Sequence, residues 1–245
     1  MNKNIDFGRI ETWPERLKQL VFHNSEKISV EKKADFDNIL AGKAHYHSVS
    51  MPTYDSAKSK IEELLLDSSA LAWHCTKLIN PEKIKTNGLH PLSVALIKDL
   101  IQTEMVNILD QKDQEIIIKK IEKYERDDFF GSRENQIWFL LNQGMWLKEE
   151  CKEFFSFFGG EQMRRIIENE LCEYIAIFQS VGKPYLVEFH VELNQIETFQ
   201  LSNLADQLIN FGIDSLNREK TPFIYAEGKI TKTIGPDRIL KIYPV

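Results

Sequence analysis

The chain has 245 residues, 42% of them hydrophobic, with a formal charge of −6 and three cysteines. That length suits one large domain or two small ones around a buried core. An acidic chain excludes broad non-specific attraction to nucleic acid while leaving room for a local basic groove.

Cys75, Cys151 and Cys172 are odd in number and lack Cys-x-x-Cys spacing, which argues against a disulfide framework and a structural zinc site. No apolar run reaches the roughly 20 residues of a membrane-crossing helix. The opening MNKNIDFGRIETWPERLKQ has neither an apolar signal region nor a small-residue cleavage site, so a reduced, cytoplasmic protein with no membrane partner is expected.

Up to about residue 54 the pattern is weak. A helix is predicted over 14–22, and LAGKAHYHSVSMPTYDS reads as a polar loop that includes His45 and His47. A helix over 56–66 and a buried strand over 70–75 follow. Asn80-Pro81 then supplies an N-cap and a first-turn proline for a short helix that closes at Asn87-Gly88. Helices are predicted over 93–109 and 111–126, the second from the recurrence of Ile117, Ile118, Ile121 and Tyr124, which is a packing signal.

QIWFLL predicts a strand over 136–141, and FFGGE opens a long predicted helix over 161–179. The last third reads as strand-rich. Residues 184–193 alternate Tyr185, Val187, Phe189 and Val191 against Glu188, His190 and Glu192. Those three polar residues hold one nitrogen ligand and read as a solvated or ion-paired face rather than a metal site. Strands over 223–232 and 238–243 are separated by a turn at Gly235-Pro236. No GxGxxG, Walker A, HExxH or GxSxG pattern occurs, so those dehydrogenase, nucleotidase, zincin and serine hydrolase chemistries lack their residues.

One stretch carries more than packing. WHCTKLINPEKIKTNGL, from Trp73 to Leu89, resembles the first motif of the ADP-ribosyltransferase fold of the poly(ADP-ribose) polymerase type and of the RNA 2′-phosphotransferases. There His-Gly-Thr or His-Gly-Ser ends a strand and Ile-x-x-x-Gly-Leu follows. Ile84, Gly88 and Leu89 stand at those places, and Cys75 replaces the glycine. The resemblance implies NAD bound across a split sheet, with His74 hydrogen-bonded to a ribose hydroxyl, Thr76 in support and the main chain of Cys75 holding the nicotinamide amide. A cysteine offers the same main-chain N–H and C=O as glycine, provided that its side chain turns away from the ring.

The family's second motif, Gly-Ile-Tyr-Phe, is matched by Gln136-Ile137-Trp138-Phe139. Trp138 stands at the tyrosine that stacks on nicotinamide, and an indole offers a larger face; as a residue on its own, it reads equally as a core aromatic. The third element is a glutamate opening a late strand. Positive charge grows on the ribose as nicotinamide leaves, so a carboxylate against the 2′-hydroxyl stabilises the transition state and can take the nucleophile's proton. Glu227 in FIYAEGKITKTIGPDRILKIYPV fills that role. Glu161 in FFSFFGGEQMRRI competes for it. As an acid at a helix start it satisfies capping and dipole preferences, while Gly159-Gly160 permits close ligand approach and Phe154, Phe155, Phe157 and Phe158 suggest pocket walls.

The expected fold is therefore α+β: an ADP-ribosyltransferase-like split β-sheet over 70–245 with a helical insertion at about 91–134, preceded by a mostly helical region over 1–69. The expected reaction cleaves the nicotinamide–ribose bond of NAD, a substrate here, and passes ADP-ribose to a macromolecular acceptor, protein or nucleic acid. The acceptor would meet the insertion, where Lys98, Lys112, Lys119, Lys120, Lys123, Arg126 and Arg133 mix with acids. The resemblance also implies toxin or antiphage biology and a neutralising antitoxin partner. Open alternatives are NAD hydrolysis by water, RNA 2′-phosphotransfer using Arg133, Arg164, Arg165 or Arg238, and a non-catalytic binding module.

Overall fold

The computed structural model describes residues 4–42, 50–126 and 135–245. His45, His47, Arg133 and the end of the expected insertion lie outside them. Along the chain run α1 (Glu15–Phe22), α2 (Ser25–Leu40), α3 (Pro52–Leu66), β1 (Ser69–Leu78), α4 (Glu82–Asn87), α5 (Val94–Glu104), α6 (Gln111–Arg126) and β2 (Ile137–Leu140). Then come α7 (Glu149–Lys152), α8 (Gly160–Glu170), α9 (Ile175–Ser180), β3 (Lys183–Glu192), α10 (Thr198–Asp214), β4 (Glu227–Ile230) and β5 (Ile239–Pro244). Two compact units divide the chain: 1–71 with 191–228, and 72–190 with 229–245. The segment 191–228 is thus grouped with the N-terminal helices.

In the first unit α1, α2, α3 and α10 pack on one another. Helical spacing explains the packing: Ala57, Ile61 and Leu65 of α3 are buried four residues apart, and Leu201, Leu204, Leu208 and Ile209 line α10, the stripe an amphipathic helix turns to a core. Each buried side chain of this size contributes about 1.5–3 kcal/mol. Trp13 lies 5.4 Å from Phe211 and stacks on Phe22 at 6.4 Å, and its indole N–H donates to the Asp6 carbonyl. The Glu31 carboxylate accepts from the backbone N–H groups of Thr53 and Tyr54. It thereby caps the start of α3, where donors have no partner within the helix.

The five strands form one open antiparallel sheet in the order β4-β2-β1-β3-β5. Apart from the ends of β1, β3 and β4 this sheet belongs to the second unit. Trp73 of β1 sits opposite Leu140 of β2. Leu186, Val187 and Glu188 of β3 face Tyr243, Ile242 and Lys241 of β5, with a bulge after Glu188. Val187, Phe189 and Val191 are fully buried, as their alternation predicts, and Phe139 meets Phe189 edge-on at 5.4 Å. The helices of the unit have a core of their own, built on Ile97, Ile117, Ile121, Phe157, Ile167 and Phe178. Lys77 of β1 is buried and donates its ammonium to the Gln179 carbonyl at the end of α9. Burial pushes its pKa below that of an ordinary lysine.

The chain mixes helix and strand as expected, with one open sheet of five antiparallel strands. Several other expectations change. The strand-rich last third contains α10, whose apolar residues recur at helical spacing. The strand expected over 223–232 is only Glu227–Ile230. Ser25–Leu40 is a helix where none was predicted, because two of its three buried positions are Ser25 and Asp35 and leave little apolar period to detect. Pro52 opens α3 earlier than expected from the first turn, where its missing N–H costs nothing. The helix expected over 93–109 stops at Glu104, and the one over 161–179 breaks at Leu171, whose backbone leaves the helical region.

Candidate functional site

β1 carries His74, Cys75 and Thr76 in mid-strand, all half-buried. The His74 Nδ1 lies 2.7 Å from the main-chain carbonyl oxygen of Trp138 on β2. A carbonyl can only accept, so Nδ1 carries the hydrogen. Burial lowers the imidazole pKa from its ordinary 6.5, against the opposing pull of that same bond. The ring is therefore neutral near pH 7 and its Nε2 has a lone pair to offer to a donor such as a hydroxyl. Because the partner is main chain, the side chain at 138 does not determine the bond. Period-two alternation puts Cys75 on the opposite face of β1 from His74 and Thr76, and it is not in a disulfide.

Trp138 is half-buried, whereas its neighbour Phe139 takes the core position against Phe189. The indole N–H donates to the Gln136 side-chain oxygen at 2.9 Å, which fixes the plane of the ring. The Lys229 ammonium stands over that ring, 5.3 Å from its centroid. Lys229 was not among the residues expected from sequence. Its signal was there: it lies two residues after Glu227 on a strand, hence on the same face.

Glu227 is exposed and is the first residue of β4, the strand that hydrogen-bonds to β2. β1 and β2, the strands of His74 and Trp138, are neighbours within the second unit, whereas Glu227 is grouped with the first. Glu161 lies in the first turn of α8, behind Gly159 in the left-handed conformation at φ 81°. A carboxylate there is favoured by the helix dipole. Phe157 and Phe158 are buried in the helical core, so the pocket walls expected of them are packing residues instead.

The Gly88-Leu89 part of the first motif has a structural role. Gly88 adopts φ 80°, ψ −169°, a region open to glycine alone, and a Cβ there would fall 2.0 Å from the Ile234 carbonyl oxygen. Next to it Leu89 and Ile234 exchange two backbone hydrogen bonds of 2.9 Å. This joins the turn after α4 to the segment that leads into β5.

On β3 and β5 the Tyr243 hydroxyl donates to Glu188. Burial and that bond push the phenol up to about 12. Arg238 Nε donates to the His190 carbonyl at 3.1 Å. Arg164 bridges Glu153 at 2.8 Å and Glu168 at 2.9 Å. Among the described residues no group of three or more His, Cys, Asp or Glu side chains could hold a metal ion, and no helix is long and apolar enough to cross a membrane. Comparisons with protein-family models, with curated proteins and with solved structures give no match.

Proposed function

We propose that the chain is an NAD-dependent ADP-ribosyltransferase. The observation that carries the reading is the adjacency of β1 and β2, which puts His74 and Trp138 on neighbouring strands of the second unit. The tautomer of His74 supports it, since Nε2 is left to accept from a ribose hydroxyl. So does the alternation that turns the Cys75 side chain away from the His74 face, leaving its main chain for the nicotinamide amide.

In the proposed reaction the bond between ribose C1′ and the nicotinamide nitrogen breaks. The electron pair leaves with nicotinamide, which departs neutral, and the ribose takes up the positive charge. The Glu227 carboxylate stabilises that charge through the 2′-hydroxyl. A nucleophilic hydroxyl, amine or carboxylate of the acceptor then bonds to C1′, and any proton it loses passes to Glu227. Trp138 stacks on the departing ring, Thr76 supports His74, and Glu161 remains the alternative carboxylate.

The acceptor in this reading is a protein or a nucleic acid, and the biology that of a toxin or antiphage effector with a neutralising partner. RNA 2′-phosphotransfer is less well supported, because a phosphate needs uncommitted guanidinium groups and Arg164 already bridges two carboxylates. The test is incubation with NAD labelled in both its nicotinamide and its adenine. Free nicotinamide with adenine label on macromolecules supports transfer; free nicotinamide with all adenine label on ADP-ribose indicates a glycohydrolase. Intact NAD with and without cell extract would refute the reading.

A further inference from the structure

The Lys229 ammonium is held 5.3 Å from the centroid of the Trp138 ring, within the range where the negative face of an aromatic attracts a cation. Because the Trp138 N–H is bound by Gln136, the ring presents a fixed face, and its half-burial leaves it within reach of a ligand. Resting on the NAD reading above, in which the nicotinamide ring stacks on Trp138, we propose that Lys229 is a built-in competitor for that face. Oxidised NAD carries a pyridinium ring with one positive charge. That ring replaces the ammonium on the indole, one cation for another.

When the glycosidic bond breaks, its electron pair stays on the ring nitrogen and the nicotinamide becomes neutral. A neutral ring holds the indole face less tightly than a cation does, so the returning Lys229 displaces the product. Lys229 thus has two effects: it weakens ground-state binding of the substrate ring and hastens departure of the product.

The probe is 1-methylnicotinamide, a pyridinium cation without the rest of NAD, titrated by NMR against the full chain, with neutral nicotinamide alongside. Lys229→Met is expected to bind the cation about two- to fivefold more tightly than the wild type, the measure of one exposed cation–π contact. Lys229→Arg keeps a competing cation and should match the wild type. Trp138→Leu should lose the binding while keeping a wild-type melting temperature. Equal or weaker binding by Lys229→Met, unchanged binding by Trp138→Leu, or no binding to any of these proteins would overturn the proposal. Cleavage of NAD by the same samples separates this claim from the one beneath it. Nicotinamide release without the Lys229 effect overturns the lysine's role alone. The binding pattern without release upholds the competition on Trp138 and overturns the transferase.

Discussion

His74 Nδ1 donates to the carbonyl of Trp138 across 2.7 Å, tying the ring of one strand to the main chain of the next. A hydrogen bond of this kind contributes about 1 kcal/mol net, and it also selects the tautomer. Two-dimensional NMR of the ring nitrogens is expected to find Nδ1 protonated and Nε2 bare at pH 7, with no titration at the ordinary 6.5. The sign for stability follows from the lowered pKa. The unfolded chain takes up a proton at this histidine before the folded one does, so stability is full above 6.5 and falls as the pH drops through the folded value. His74→Gln should flatten the melting-temperature profile in that window, and an unchanged profile would count against the burial of a neutral ring.

Gly88→Ala tests the joint between the first motif and the segment before β5. Backbone strain alone costs about 1–3 kcal/mol, and the added methyl would meet the Ile234 carbonyl oxygen at 2.0 Å. Denaturant unfolding should show a loss of more than about 2 kcal/mol. A loss under half of that would mean that Gly88 does not hold this conformation.

Tyr243 and Glu188 join β5 to β3. A hydrogen bond to a charged acceptor contributes about 1.5–3 kcal/mol when well formed, less where solvent reaches it. A double-mutant cycle of Tyr243→Phe and Glu188→Gln should give a coupling near 1 kcal/mol. Spectrophotometric titration should show several phenols that resist ionisation, Tyr243 and Tyr174 until about pH 12 with Tyr54 raised as well, and the loss of one of these late transitions in Tyr243→Phe identifies its own.

Much of the sheet was legible in the sequence. The alternation of Val187, Phe189 and Val191 predicts β3, and Asn80-Pro81 with Asn87-Gly88 marks both ends of α4. The helix α2 was not legible, because it buries Ser25 and Asp35 along with Ile28. No element was predicted over α10, although Leu201, Leu204 and Leu208 recur there at helical spacing. Of the site, His74, Cys75 and Thr76 were visible as a motif. Strand alternation puts Lys229 on the face of Glu227, but that it covers Trp138 became evident only with β4 beside β2, since no single-strand pattern says which side chain covers an aromatic on the neighbouring strand.

The central claim is that Glu227 serves the cleavage of NAD, and nicotinamide release by the wild type and Glu227→Gln under saturating NAD tests it most directly. The amide keeps the shape and loses the charge, so if the carboxylate stabilises the ribose cation, turnover should fall about a hundredfold or more while NAD binding stays close to wild type. Equal release by the two proteins, or loss confined to Glu161→Gln, would contradict the assignment.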